Sequence, residues 1–254
     1  MLEYWWLLPL GAVVNAFATT VGIGGAVFFA PIFILGLGMP PLEAFGTGLA
    51  IQVFGFGAGT YGYARRGKID FPLSEYLLLA AVPGAVLGAL IAGFFPQNML
   101  KLMMGAWLVF FALYLYKRKN DEMNLVDIEH IGLDPFRIIG LFSSFAGGLL
   151  LGLISTGIGS TLILYLNTWL KMPIKQTLGT TMFVTFVTVF FAALIYAGTA
   201  QMNYAAILFA APGVVIGGMV GPQLTKRINA LALIAIISVV FGILGIAMLW
   251  SVLP

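Results

Sequence analysis

Side chains able to do covalent chemistry are scarce in this chain of 254 residues, which has no cysteine and a single histidine, His130. That histidine lies in a polar stretch without convergent partners, so it reads as a solvated loop residue. No acid–base pair, metal set or activated nucleophile can be assembled, which makes an enzyme the weakest reading and leaves no metal or cofactor to expect. Binding chemistry remains, carried by backbone and hydroxyl groups. Val21-Gly22-Ile23-Gly24-Gly25 precedes a short apolar stretch, and so does Thr156-Gly157-Ile158-Gly159-Ser160. A glycine turn that opens a helix presents unpaired N–H groups and about half a positive charge, the makings of an anion site. Gly22, Gly24, Gly25, Gly157 and Gly159 would let a ligand approach the backbone, while Thr19, Thr20, Ser155, Thr156, Ser160 and Thr161 add hydroxyls. The competing reading is that these small residues only permit close helix packing.

The elements that would position these groups follow from composition. Hydrophobic residues make up 61% of the chain and charged residues 8%, too few charges to build a water-facing shell. Apolar runs such as Phe71 to Phe95 and Asn229 to Trp250 can cross a hydrocarbon layer of about 30 Å. Lipid cannot satisfy exposed amides and the runs lack strand alternation, so the spanning elements are expected to be helices. Met1 to Thr20 lacks a basic leader region and carries Trp5 and Trp6; it reads as the first helical segment, without a cleavable signal.

The chain also repeats itself. After the glycine clusters, Met39-Pro40 matches Met172-Pro173, Gly46-Thr47 matches Gly179-Thr180, Tyr63-Ala64 matches Tyr196-Ala197, and Pro83-Gly84 matches Pro212-Gly213, all in order. Each half reads as five segments: about 4–20, 25–37, 41–63, 72–94 and 98–117, then about 136–155, 160–170, 174–197, 204–222 and 229–250. The second and seventh are too short to cross at about 1.5 Å per residue, so each is expected to form a re-entrant hairpin with the helix before it. Thr47, Thr180 and Gln52 are further candidates to face the site, although helical hydroxyls often satisfy their own carbonyls. Thr181, Thr185 and Thr188 extend the second patch. Pro83-Gly84 and Pro212-Gly213 read as kinks and packing positions. Glu43, Asp70 and Glu75 fall near segment ends, as capping or interfacial groups.

Of the twelve basic residues, one topology leaves only Lys101 outside the cytoplasm, in keeping with the bias of Lys and Arg toward cytoplasmic loops. It requires each short pair to return to its starting side, so the halves are inverted relative to each other. The expected architecture is thus an all-α polytopic membrane protein of two inverted-topology repeats, each about five helical segments with a glycine-broken re-entrant pair. Residues 1–117 form the first repeat, 118–135 a cytoplasmic linker and 136–254 the second repeat, with both termini outside. Inverted repeats commonly hold a solute site near the midplane where they meet. The basic residues sit in short clusters beside apolar segments, not on one face, which argues against nucleic acid as a partner. The expected partners are a small anion and the lipid bilayer.

At the two glycine clusters, the Met-Pro turns, Gly46-Thr47, the Arg65-Arg66-Gly67-Lys68-Ile69-Asp70 loop and the Pro83-Gly84 segment, the chain resembles the TauE/SafE sulfite exporter family. The resemblance spans nearly all of both repeats. It implies a bacterial or archaeal inner-membrane permease for sulfite or an organosulfonate, usually exporting. Ser160 stands where the first repeat has Gly25, so the two half-sites need not contribute equally. A passive anion channel and a non-transporting assembly subunit, docking through residues 118–135, remain alternatives.

Overall fold

The computed structural model describes residues 4–21, 26–118, 135–199, 202–224 and 230–252. Gly22, Gly24, Gly25, His130 and the body of the 118–135 linker lie outside them. The described residues form ten α-helices and no strand: α1 (Leu7–Val21), α2 (Ala26–Gly36), α3 (Pro41–Ala64), α4 (Phe71–Ala92), α5 (Gln97–Arg118), α6 (Pro135–Ile154), α7 (Ile158–Thr168), α8 (Ile174–Gly198), α9 (Tyr204–Leu224) and α10 (Ala230–Trp250). Each boundary falls within about three residues of its expected place.

Local chemistry explains where the helices begin. Pro41 and Pro72 occupy the first turns of α3 and α4, where a missing N–H costs nothing. The Asp70 side chain accepts from the Leu73 N–H at 3.0 Å, and Asn203 does the same for the Ala206 N–H at 3.0 Å in front of α9. Asp70 is therefore a capping residue, as its position near a segment end suggests. After both short helices the chain folds back in the same way: the Met39 N–H bonds to the Phe33 carbonyl at 3.0 Å, and the Met172 N–H to the Leu166 carbonyl at 2.9 Å. The residues before them, Gly38 and Lys171, hold left-handed φ angles of 64° and 50°.

Helices pair across the two halves of the chain. α1 packs along α9 and α4 along α6, α5 lies against α10, and α3 and α8 meet in the middle, each also touching the other half's fourth helix. Glycine makes the α1–α9 and α4–α6 seams tight. A Cβ at Gly84 or Gly88 would run into the carbonyls of Phe145 and Leu149, and one at Gly213 or Gly217 into those of Leu8 and Ala12. The Pro-Gly segments are packing positions, as the sequence suggested.

Polarity runs outward to inward from water-avoiding to water-like. Leu79, Phe142, Leu208 and Trp250 are each about 70% exposed, whereas Asn15, Thr47, Gln52 and Thr181 are fully buried. Such an apolar exterior demands lipid. α4 (Phe71–Ala92), most of α8 (Lys175–Gly198) and most of α9 (Tyr204–Gly221) are long and apolar enough to cross a membrane. α2 and α7 have 11 residues each, about half of what a crossing takes.

Candidate functional site

The break before α7 is built from strained backbone. Ser155 takes a φ of 58° and Gly157 one of 124°, conformations that cost an ordinary residue and that glycine alone adopts freely. A side chain at Gly157 would also meet Leu150. Gly157 is the N-cap of α7, and no side chain caps the helix. The first N–H groups of the helix therefore lack both an intrahelical acceptor and a side-chain substitute. Ser155, Thr156, Gly157, Gly159 and Ser160 are all buried, so this partial positive charge points into the protein interior, where it acts at low dielectric.

A small cavity lies against that break, walled by Thr156, Gly157 and Ser160 on one side and by Trp107, Leu108, Phe111, Phe241 and Val27 on the others. Val27 is the second residue of α2, so the start of one short helix and the cap of the other border the same space. Its free interior, about 10 Å³, takes at most one water-sized sphere. Phe28 meets Phe241 at a tilt of 50° with ring centroids 5.0 Å apart, and Phe111 stands 6.1 Å from the same ring. These aromatic walls from α5 and α10 escaped the sequence reading, because in an all-apolar helix nothing distinguishes a cavity-lining phenylalanine from a lipid-facing one.

Several candidate hydroxyls have donor protons engaged by backbone. Thr19 Oγ1 donates to the Asn15 carbonyl at 2.7 Å, and Thr20 Oγ1 to the Ala16 carbonyl at 2.6 Å, with the Gly221 carbonyl of α9 at 3.1 Å. Ser160 Oγ donates to the Gly157 carbonyl at 2.7 Å, and Thr161 Oγ1 reaches the same oxygen at 3.1 Å. Ser155 Oγ makes only a long contact, 3.5 Å, to the Phe45 carbonyl.

Thr47 and Thr180 act as a crossed pair. Thr47 Oγ1 accepts from the Asn203 N–H at 2.8 Å and Thr180 Oγ1 accepts from the Asp70 N–H at 3.0 Å. Each thus ties the third helix of one half to the capping residue of the other half's fourth helix. A second matched pair braces the broken helices: Tyr63 donates to the Thr19 carbonyl at 3.3 Å and Tyr196 to the Gly152 carbonyl at 2.9 Å. In both sets the corresponding residues Thr47 and Thr180, and Tyr63 and Tyr196, stand 133 positions apart.

Gln52 differs from all of these. It is fully buried on α3 and neither its Nε2 nor its Oε1 has a partner; Thr181 Oγ1 and Thr185 Oγ1 on α8 are likewise unpaired. No Lys, Arg, His, Asp or Glu is buried among the described residues. The polar residues on the cavity wall, Thr156, Gly157 and Ser160, are neutral as well.

Comparison with known proteins adds a family. The family model described as "Sulfite exporter TauE/SafE" matches residues 7–248. The chain is 21% identical to the probable membrane transporter protein YunE of Bacillus subtilis, over 96% of this chain and 97% of that one. It is 26% identical to the probable membrane transporter protein YjnA of the same organism, over 87% and 91%. A probable membrane transporter protein of Methanocaldococcus jannaschii is 24% identical over 97% of both chains. No solved structure matches.

Proposed function

Since the chain belongs to the sulfite exporter TauE/SafE family of membrane transporters, we propose that it is a secondary transporter, an exporter, that carries sulfite or a small organosulfonate across the inner membrane by alternating access. The observation that carries this reading is the buried, uncapped start of α7, which borders a cavity together with the start of α2. Helix N-terminal dipoles stabilise an anion without committing a full opposite charge, so the solute can leave again on the other side. A buried arginine would hold it more tightly.

In this reading residues 1–117 and 136–254 are inverted repeats, each with a re-entrant hairpin, and they rock about the two glycine breaks. Both termini lie outside and residues 118–135 face the cytoplasm. The matched hydrogen bonds of Thr47 and Thr180, and of Tyr63 and Tyr196, support the repeat. The distribution of Lys and Arg supports the orientation.

The test is sulfite flux in proteoliposomes containing the wild type or Gly159→Leu, which puts a bulky side chain beside the α7 N–H groups. Saturable flux with counter-transport is expected from the wild type, and its loss from a variant that still elutes as a monodisperse protein. Undiminished flux in the variant would remove Gly159 from the site, and conduction without saturation would make the protein a channel.

A further inference from the structure

We infer that Gln52 on α3, with Thr181 and Thr185 on the helix packed against it, selects anions that carry a hydrogen-bond donor of their own: a protonated oxyanion or a hydroxyl-bearing sulfonate. This rests on the anion-transport reading above. Buried polar groups are nearly always paired, so an unpaired one needs a cause. The seven such atoms among the described residues include four from three side chains on the packed pair α3 and α8: Gln52 Nε2, Gln52 Oε1, Thr181 Oγ1 and Thr185 Oγ1. Thr188, three residues beyond Thr185, shows the usual outcome: its hydroxyl donates to the Val184 carbonyl at 2.6 Å.

Position aims these groups at the site. A Cβ at Gly48 would stand 3.8 Å from Ser155 Oγ, 3.7 Å from Phe29 Cβ and 3.8 Å from the Ala30 nitrogen. That stripe of α3 therefore faces the turn before α7 and the first part of α2. Gln52 follows one helical turn later, and a helical side chain leans back over the turn before its own Cα, here over the bare surface of Gly48. Thr185 and Thr181 occupy the positions 133 residues on from Gln52 and Gly48, on the helix that packs against α3. An amide from one half, one turn from the surface that faces the break before α7, and hydroxyls from the other half thus lie on two packed helices.

The amide sets the chemistry. One end donates and the other accepts, and because both are unpaired the conclusion holds whichever way the amide is turned. A ligand made of acceptors alone satisfies Nε2 but leaves Oε1 facing negative charge. A ligand with an O–H satisfies both. Nor is there a buried cation to balance a dianion; the buried ionisable side chains among the described residues are the tyrosines Tyr63, Tyr165 and Tyr196.

The experiment uses the full-length protein in proteoliposomes, with ethanesulfonate and 2-hydroxyethanesulfonate as matched competitors of sulfite flux, and sulfite flux itself across weakly acidic to weakly alkaline pH. The wild type is expected to favour the hydroxylated competitor by about tenfold, a step of one well-made hydrogen bond, or to lose sulfite flux as the solute loses its proton. A hydroxyl effect alone identifies a hydroxyl-bearing sulfonate as the ligand, and a pH effect alone a protonated oxyanion. In Gln52→Met both effects should vanish while the apparent Tm stays equal to or above the wild type, since no partner is lost. A wild type showing neither effect, a variant that keeps them, or a folded variant of lowered Tm overturns the inference. Should Gln52→Met fail to fold, Thr185→Val carries the same comparison. A wild type that neither moves sulfite nor binds any of the three anions refutes the transport reading instead.

Discussion

Along the α4–α6 and α1–α9 seams glycine removes a side chain so that two backbones can touch, whereas at the break before α7 it frees a backbone from its helix, which in the proposed reading opens it to a ligand. Gly88 in the seam has ordinary helical geometry and the Leu149 carbonyl where its Cβ would be; Gly157 in the break has a φ of 124° and an uncapped helix behind it. Composition treats the two sites alike. The lesson is that a small residue in a membrane helix signals either contact or access, and the hydrogen bonds beside it tell which. Seam positions should govern whether the protein folds, and break positions what it carries.

The largest effect expected is at the seam. Gly88→Ala forces a methyl group against the Leu149 carbonyl and the Leu153 nitrogen, backbone atoms that cannot swing aside, and should cost about 1–3 kcal/mol or more. Thermal unfolding of purified protein should show a clear drop in apparent Tm, and Gly217→Ala, which meets the Ala12 carbonyl, a similar one. Folded protein from either variant should keep the wild-type KM. A normal Tm with altered KM would erase the distinction between seam and break. Gly159→Leu is the converse case, with flux lost from protein that still folds.

A smaller effect separates the two halves. Thr180→Val and Thr47→Val each remove the oxygen that accepts from a helix-capping residue, Asp70 or Asn203, leaving a part-buried N–H unpaired at a cost of about 1–3 kcal/mol. If the halves are equivalent scaffolds, the two losses of unfolding free energy should agree within roughly 0.5 kcal/mol. Unequal shifts would mean that one of these threonines does more than hold its helix.

Much of this was legible beforehand, and the remainder was hidden for identifiable reasons. Helix ends were readable because Pro, Gly and capping residues fix them locally: Met39-Pro40, Asp70 before Phe71-Pro72, and the run from Ser155 to Gly157. Burial of the second break followed from its polarity amid apolar sequence. Which helices pair did not, since an apolar helix has no polar face to orient it, and so the crossing of α1 onto α9 and of Trp107, Phe111 and Phe241 onto the break needed three dimensions. Nor does a hydroxyl's residue type say whether its proton is already taken. Gln52 and Thr20 looked equivalent as sequence; in the fold one has no partner and the other reaches two carbonyls.

The smallest expected effect tests that last point at the cavity wall. Ser160 borders the cavity, so its hydroxyl looks placed to bind a solute, yet it donates to the Gly157 carbonyl at 2.7 Å. One hydroxyl has one proton, and an anion needs that proton. Ser160→Ala should therefore leave the KM for sulfite within roughly twofold of wild type and lower stability by about 0.5–1.5 kcal/mol, the net worth of one hydrogen bond. Thr161 Oγ1, 3.1 Å from the same carbonyl, can take up the vacated acceptor and hold the cost near the lower end. A KM raised by about tenfold with unchanged Tm would mean that Ser160 turns its proton to the solute on binding, and that the break supplies side-chain donors as well as backbone ones.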